Sequence, residues 1–290
     1  MRENAKILKP AGVVAKIAFI IAFVCFAVYS FSMLFTLGWA FLQSLKTNSE
    51  FWENMIALPK KWLLSNYIKA FGVLEYNKTT FAGMFINSFW FAAGSTLLSV
   101  LSHCVTGYVF AKYKFKGREA AFSFVLFTLT IPIVGSLPSL YKVIYYLNLN
   151  DSPLFLVTAL GGFGGNFLIT YAYFKNIDWA YAEAAFIDGA GHWYVFFRIY
   201  LPLAAGPVAA LSILGFIGQW NNYETPMLFL DKNYPTLASG LYNFKIQMRF
   251  KSNEPLYTAG VLVSTLPVFI LVAAFGNQIM KNMTIGGIKG

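Results

Sequence analysis

Long apolar runs dominate the chain, and polar residues gather in the short stretches between them. Six windows hold the roughly 20 mostly apolar residues that a helix needs to cross a bilayer. They run from about Ile17 to Leu42, Phe85 to Ala111, Ala120 to Tyr141, Leu154 to Phe174, Leu203 to Leu230 and Leu256 to Met280. The pattern predicts an all-α, polytopic membrane protein with six transmembrane helices. The first window is longer than a signal-peptide core and has no evident cleavage site, so it reads as a retained helix.

Two windows are punctuated. Pro132 and Pro138 interrupt the third, and the run GGFGG from Gly161 to Gly165 interrupts the fourth. Inside a bilayer such breaks survive only where neighbouring protein satisfies the freed backbone groups, so these helices are expected inside a bundle. In the second window Ser95, Ser99, His103 and Gly107 recur every four residues and share one helix face, a pattern suited first to close helix packing.

Composition sharpens the class. Of 290 residues 58% are hydrophobic and only 12% charged, against ~25% in a soluble domain. The net charge of +10 would point to nucleic acid in a soluble protein. Here the basic residues flank apolar spans, where anionic lipid headgroups and the positive-inside bias account for them, so no nucleic-acid partner is expected. Lys112, Lys114, Lys116 and Arg118 form the tightest cluster, and Arg2, Lys6, Lys9 and Lys16 precede the first span. This places both termini and the loop after the second span in the cytoplasm. Cys25 and Cys104 fall inside apolar runs and act as small hydrophobes.

The stretch EAAFIDGAGHWYVFFRIYLP, Glu183 to Pro202, breaks the apolar pattern between spans four and five. It reads as two short helices. Asp178 would cap the first, through Ala180 to Ile187, and Gly189 would allow a chain reversal at positive φ. The second, His192 to Tyr200, would end before Leu201 and Pro202. Ala184, Ala185, Ala190 and Gly191 are too small to shield the backbone, which suits a surface onto which another protein closes.

This stretch resembles, position for position, the signature of membrane subunits of binding-protein-dependent ABC importers: EAA, three residues, Gly, nine residues, then I-x-L-P. The matching residues are Glu183, Ala184, Ala185, Asp188, Gly189, Ile199, Leu201 and Pro202, with Ala190 beside them. The resemblance implies a type I ABC importer transmembrane domain in which residues 178–202 form a coupling helix seated on a separate ATP-binding subunit. Glu183 would make polar contacts there, and Gly189 would permit the turn. The family proline at the start of the first helix is absent, and Asp178-Trp179-Ala180 stands in its place. On this reading residues 1–84 hold the N-terminal segment, first span and first outer loop, 85–280 the core permease, and 281–290 a cytoplasmic tail that reaches the ATPase dimer.

Further cues resemble the smaller membrane subunit of maltose-type carbohydrate importers. They include SLKTNSEF from Ser44 to Phe51, Leu58-Pro59, Asn66-Tyr67, Ile131-Pro132, Leu140-Tyr141, Gln219-Trp220-Asn221 and the ending TIGGIKG. Sugars present hydroxyls to amides and carboxylates and C–H faces to aromatic rings. Gln219, Trp220, Asn221, Asn222, Tyr223 and Glu224 offer that mixture near the outer half of span five. The equal alternative is that the aromatics anchor the interface and the amides bond neighbouring helices. By resemblance the fifth loop would reach an extracytoplasmic solute-binding protein through Asn233, Tyr234 and Tyr242.

The expected function is half of an ATP-driven pathway for a carbohydrate, built with a homologous second permease, two ATP-binding subunits and the solute receptor. The chain has no G-x-x-x-x-G-K-[S/T], so ATP and Mg²⁺ belong on the partners and no cofactor is expected here. An ion-coupled carrier is the alternative, with Glu224 and His103 as candidate coupling groups, as is an ABC permease for a non-sugar solute. A membrane-embedded hydrolase has little to work with. His103 and His192 are the only histidines and are predicted to lie apart, so neither a catalytic residue nor a metal site is assigned.

Overall fold

In the computed structural model, residues 12–131, 135, 137–247 and 253–284 are described. Pro132, the N-terminal basic residues before Lys16 and the tail from Ile285 lie outside them. Helix α1 (Val13–Ser44) leads into α2 (Asn48–Glu53) and α3 (Ser65–Val73). A hairpin of β1 (Glu75–Tyr76) and β2 (Thr79–Thr80) then delivers the chain to α4 (Phe81–Lys112). After α5 (Arg118–Thr130) and α6 (Leu137–Tyr146) come a 3₁₀ segment (Pro153–Ala159) and α7 (Gly165–Asn176). Next are α8 (Ala180–Ile187), α9 (His192–Val195), a π-helical stretch (Phe196–Tyr200) and α10 (Leu201–Leu203). Helices α11 (Ala205–Trp220), α12 (Glu224–Phe229), α13 (Leu237–Gln247) and α14 (Glu254–Thr284) complete the order.

Three of the six apolar windows are single helices long and apolar enough to span: α1, α4 and α14. The other three windows are divided among shorter helices, as the punctuation of the third and fourth predicts; the division of the fifth at Trp220 is one the sequence did not predict. Helices α5 and α6 have 13 and 10 residues, and the 3₁₀ segment and α7 have 7 and 12, so none of these alone reaches across a ~30 Å hydrocarbon core. Pro138 does not interrupt a helix. It occupies the first turn of α6, where a missing N–H costs nothing.

Helix α4 is the centre of the bundle and lies against both α7 and α11. Because lipid is as apolar as a leucine side chain, close packing and hydrogen bonds hold such helices together, not the expulsion of water. Small residues make the approach possible. A Cβ on Gly107 would overlap the Thr170 hydroxyl and stand 2.9 Å from the Tyr171 nitrogen, so α4 and α7 touch backbone to backbone there. Thr170 Oγ1 donates to the His103 carbonyl at 2.9 Å across the same contact.

Ser102 and Thr106, which lie beside the polar stripe on α4, repair the break in span four. Ser102 Oγ donates to the Gly161 carbonyl at 3.3 Å and Thr106 Oγ1 to the Gly162 carbonyl, so carbonyls freed by the GGFGG run find partners. His103 Nδ1 bonds to the Ser99 carbonyl within its own helix. Ser95 and His103 are buried and Gly107 meets α7, so the stripe serves packing, as its four-residue spacing predicts.

Candidate functional site

The elbow between α7 and α11 is built on aromatic residues. Tyr200 is fully buried among Tyr108, Phe174 and Phe196, and its hydroxyl donates to the Asp178 carbonyl at 3.0 Å. Lys112, at the end of α4, donates to the Ile177 carbonyl and lies over the Tyr200 ring. Ala182 of α8 is buried against the same cluster. These contacts fix where the elbow leaves the bundle.

Asp178 acts one position earlier than a strict cap. Trp179 occupies the capping position, and the Asp178 carboxylate takes the Ala180 N–H at 3.0 Å. At the other end, Ala190 N–H donates to the Ala185 carbonyl at 2.9 Å and Gly189 N–H to the Phe186 carbonyl at 3.0 Å. That pair of bonds, with Gly189 at φ +81°, is a Schellman ending. The turn expected at Gly189 is present.

The second elbow helix does not stop before Leu201. Helical structure runs from His192 to Leu203, then bends by 80° into α11. The π-helical stretch explains how Pro202 is carried. Leu201 N–H reaches back five residues to the Phe196 carbonyl, and the widened turn relieves the clash a proline ring makes four residues back.

The signature residues divide by role. Ile199 and Leu201 are half-buried in the aromatic cluster, so they support the elbow from beneath. Glu183 and Ala184 are exposed, and Ile187, four residues after Glu183, is 86% exposed. An open groove of ≈ 600 Å³ runs beside them, lined by Ala185, Gly189, Ala190, Gly191 and Ile199 and by the side chains of Asp188, Tyr194 and Arg198. Among the described residues Glu183, Asp188 and Arg198 have no ion-pair partner. The elbow thus offers unpaired charges of both signs around a floor of bare backbone. Ile187, Tyr194 and Arg198 were not singled out in the sequence. The i, i+4 spacing of Glu183 and Ile187 was the signal that could have found the first.

A second cluster forms where α11 ends. Trp220 is 4% exposed, stacks on Phe216 and donates Nε1 to the Ser264 carbonyl at 2.9 Å, so it joins α11 to α14 and faces no open space. Asn221 Nδ2 bonds the Ile217 carbonyl. Asn222 Nδ2 donates to Gln219 Oε1 at 3.3 Å and to Thr225 Oγ1 at 3.0 Å. Tyr223 and Tyr242, assigned to different roles in the sequence, stack with ring centroids 4.5 Å apart, and Glu224 lies exposed beside Tyr223. Of the other loop candidates, Asn233 bonds Asp151 through its backbone N–H at 2.8 Å, and Tyr234 packs edge-on against Trp90. His103 and His192 do not meet, since His192 Nδ1 bonds the Tyr113 hydroxyl.

Residues 104–283, which include the whole elbow, match the family described as binding-protein-dependent transport system inner membrane component. The chain belongs to that family. It is an ABC importer permease and a multi-pass inner membrane component, which leaves the ion-coupled carrier without support. Among curated relatives, the arabinooligosaccharides transport system permease protein AraQ of Halalkalibacterium halodurans is 30% identical over 271 residues, 91% of this chain and 94% of the relative. The diacetylchitobiose uptake system permease protein NgcG of Streptomyces coelicolor is 26% identical, covering 87% of this chain and 82% of the relative. A solved bacterial ABC transporter involved in import of the acidic polysaccharide alginate superposes with a TM-score of 0.79. At 20% identity over 93% of this chain and 99% of that one, this likeness shows the fold.

Proposed function

We propose that this permease forms half of the pathway for an oligosaccharide. It would pair with a homologous membrane subunit, two ATP-binding subunits carrying ATP and Mg²⁺, and an extracytoplasmic solute-binding protein. Both termini and the elbow lie in the cytoplasm on this reading, and the chain itself catalyses nothing. What carries the sugar assignment is the full-length similarity to the arabinooligosaccharide permease. The stacked Tyr223 and Tyr242, with Glu224 and the exposed Asn221 beside them, supply ring faces and polar groups of the kind sugars use. Trp220 is best assigned to helix packing.

The elbow is where the ATP-binding subunit grips. Glu183, Ala184 and Ile187 form its outward stripe, and the groove at Gly189 admits a side chain from the partner. Driving a two-state population from 1:99 to 99:1 takes about 5.5 kcal/mol of differential contact, and docking at this face is the proposed input.

Two measurements test the reading. Glu183→Lys should lose co-purification with the ATP-binding subunits while the permease stays in the membrane; retained association would refute the docking assignment. For substrate, the reconstituted complex should show ATPase stimulation by its receptor with arabinose, chitobiose or maltose oligosaccharides. Stimulation by an amino acid or a metal ion alone would overturn the sugar assignment.

A further inference from the structure

The segment between α2 and α3 carries large apolar side chains that the described residues leave open. Ile56 is 83% exposed, Leu58 68% and Trp62 61%, with Met55 and Leu64 exposed beside them. The backbone beneath them is held firmly. Buried Lys46 donates Nζ to the Asn54 carbonyl at 2.9 Å, and Asn54 Oδ1 accepts the N–H groups of Ile56 and Ala57, both at 3.0 Å. Pro59 is buried under the loop.

Two bonds fix the height of this segment along the first span. Trp39 Nε1 donates to the Met55 carbonyl at 3.1 Å, and Leu63 N–H donates to the Leu45 carbonyl at 2.8 Å. Trp39 precedes Leu45 by six residues, or ~9 Å of helix. The chain therefore leaves the end of α1, descends alongside it to the level of Trp39, and climbs back by Leu63. Helix α1 touches α14, and none of its apolar window is buried within the chain, so the rest of its surface is open to lipid. Counted from Lys16 at the far headgroups, ~20 residues of α1 reach Leu37, and its apolar window ends at about Leu42, so Trp39 lies at the C-terminal end of the span.

A loop at that depth meets lipid. Lys60 pairs with Glu53 at 3.7 Å, but Lys61 is exposed and has no ion pair among the described residues, so its charge is available to a lipid phosphate. Apolar tips, a tryptophan and a free lysine in one short loop are the chemistry of an interfacial anchor, and a patch of this kind marks a contact surface. We propose that residues 54–64 form a wedge that seats Ile56, Leu58 and Trp62 in the leaflet at the C-terminal end of α1, with Lys61 among the phosphates. The wedge goes beyond the transport role and does not depend on which face of the membrane is cytoplasmic.

Spin labels test it. In a Cys25→Ala, Cys104→Ala background, labels at Ile56→Cys, Leu58→Cys and, as reference, Lys78→Cys are placed on the full chain in phosphatidylethanolamine and phosphatidylglycerol vesicles. Collision with oxygen, which partitions into lipid, is compared with collision with a water-soluble nickel chelate. Oxygen should dominate at 56 and 58 and nickel at 78. Nickel dominance at 56 and 58 would place the loop in water and overturn the wedge. Exclusion of both reagents, in the chain alone or assembled with its partners, would mean a protein covers the loop and would overturn it equally.

Discussion

The Tyr76 hydroxyl donates to Asp231 Oδ2 at 3.0 Å across 155 residues of chain, clamping the β1–β2 hairpin to the segment that follows α12. Asn77 reinforces the clamp with bonds from Nδ2 to the Asp231 carbonyl at 2.8 Å and to Oδ2 at 3.0 Å. Local conformation brings Asn77 there. It and Lys78 both adopt positive φ, +48° and +62°, as a two-residue hairpin turn of the primed type requires. Asp151 secures Asn233 in the same way, so three connecting segments at this end of the bundle are tied together.

Tyr76→Phe should loosen the clamp without unfolding the bundle. Asn77 still satisfies Oδ2, so the loss is that of one ordinary hydrogen bond, roughly 1 kcal/mol. Amide exchange at residues 75–80 and 231–234 should quicken about fivefold, with α4 and α11 unchanged. Uniform acceleration would show that the clamp supports the whole fold.

The same bond predicts a pH response. Burial, and then the hydrogen bond and negative charge of Asp231, hold the Tyr76 phenol above its ordinary value of 10.0. A group with a raised folded value stabilises the clamp fully below its unfolded value and loses that contribution as pH rises through the folded one. Exchange at the hairpin should therefore be insensitive to protonation of Tyr76 near neutrality, after correction for intrinsic exchange rates. It should accelerate only in strongly alkaline solution, and this step should vanish in Tyr76→Phe.

Gly189→Ala and Gly189→Pro should separate two costs. No atom lies within 4 Å of an added Cβ at Gly189, so alanine meets only the penalty of positive φ, about 1–2 kcal/mol. Proline cannot adopt φ +81° and also removes the N–H that bonds the Phe186 carbonyl. Co-purification of the ATP-binding subunits should weaken with alanine and disappear with proline. Equal behaviour of the two variants would place the docking determinant elsewhere.

The parts legible in the sequence are those set by local periodicity and backbone chemistry. An apolar run without prolines gave α1, Gly189 gave the reversal, and the spacing of Ser99, His103 and Gly107 gave the packed face of α4. The parts that were not legible depend on distant partners. The break at Gly161 and Gly162 is stabilised by hydroxyls from α4, and Pro202 is accommodated by a π-helical turn that propensity does not encode. Likewise, only the folded chain brings Tyr242 onto Tyr223, and only the Ser264 carbonyl distinguishes a packing tryptophan at 220 from one lining a pathway.

Gly107→Val should be far more damaging than Gly161→Ala. The added bulk at 107 meets Thr170 and the backbone of Tyr171, neither of which can yield without parting α4 from α7. Overpacking of this kind costs typically 1–3 kcal/mol, and more where backbone is the obstacle. Nothing lies within 4 Å of a Cβ at Gly161. Thermal unfolding in detergent should fall by several degrees for Gly107→Val and remain close to the parent for Gly161→Ala.

Ile187→Asp tests the outward stripe of the elbow independently of Glu183. At 86% exposure the isoleucine makes little contribution to the fold of the isolated chain, so the variant should match the parent in membrane yield and thermal unfolding. In the complex it stands one helical turn beyond Glu183, where docking would desolvate it, and a charge buried there without a partner opposes closure. Truncation or charge at a central interface residue costs 2 kcal/mol or more in favourable cases, on the order of a 30-fold loss of affinity. Binding of purified ATP-binding subunits to the variant in nanodiscs should weaken on that scale, and the coupled ATPase should become insensitive to the receptor. An unchanged affinity would confine the contact to the Gly189 groove and leave Ile187 facing solvent in the assembled transporter.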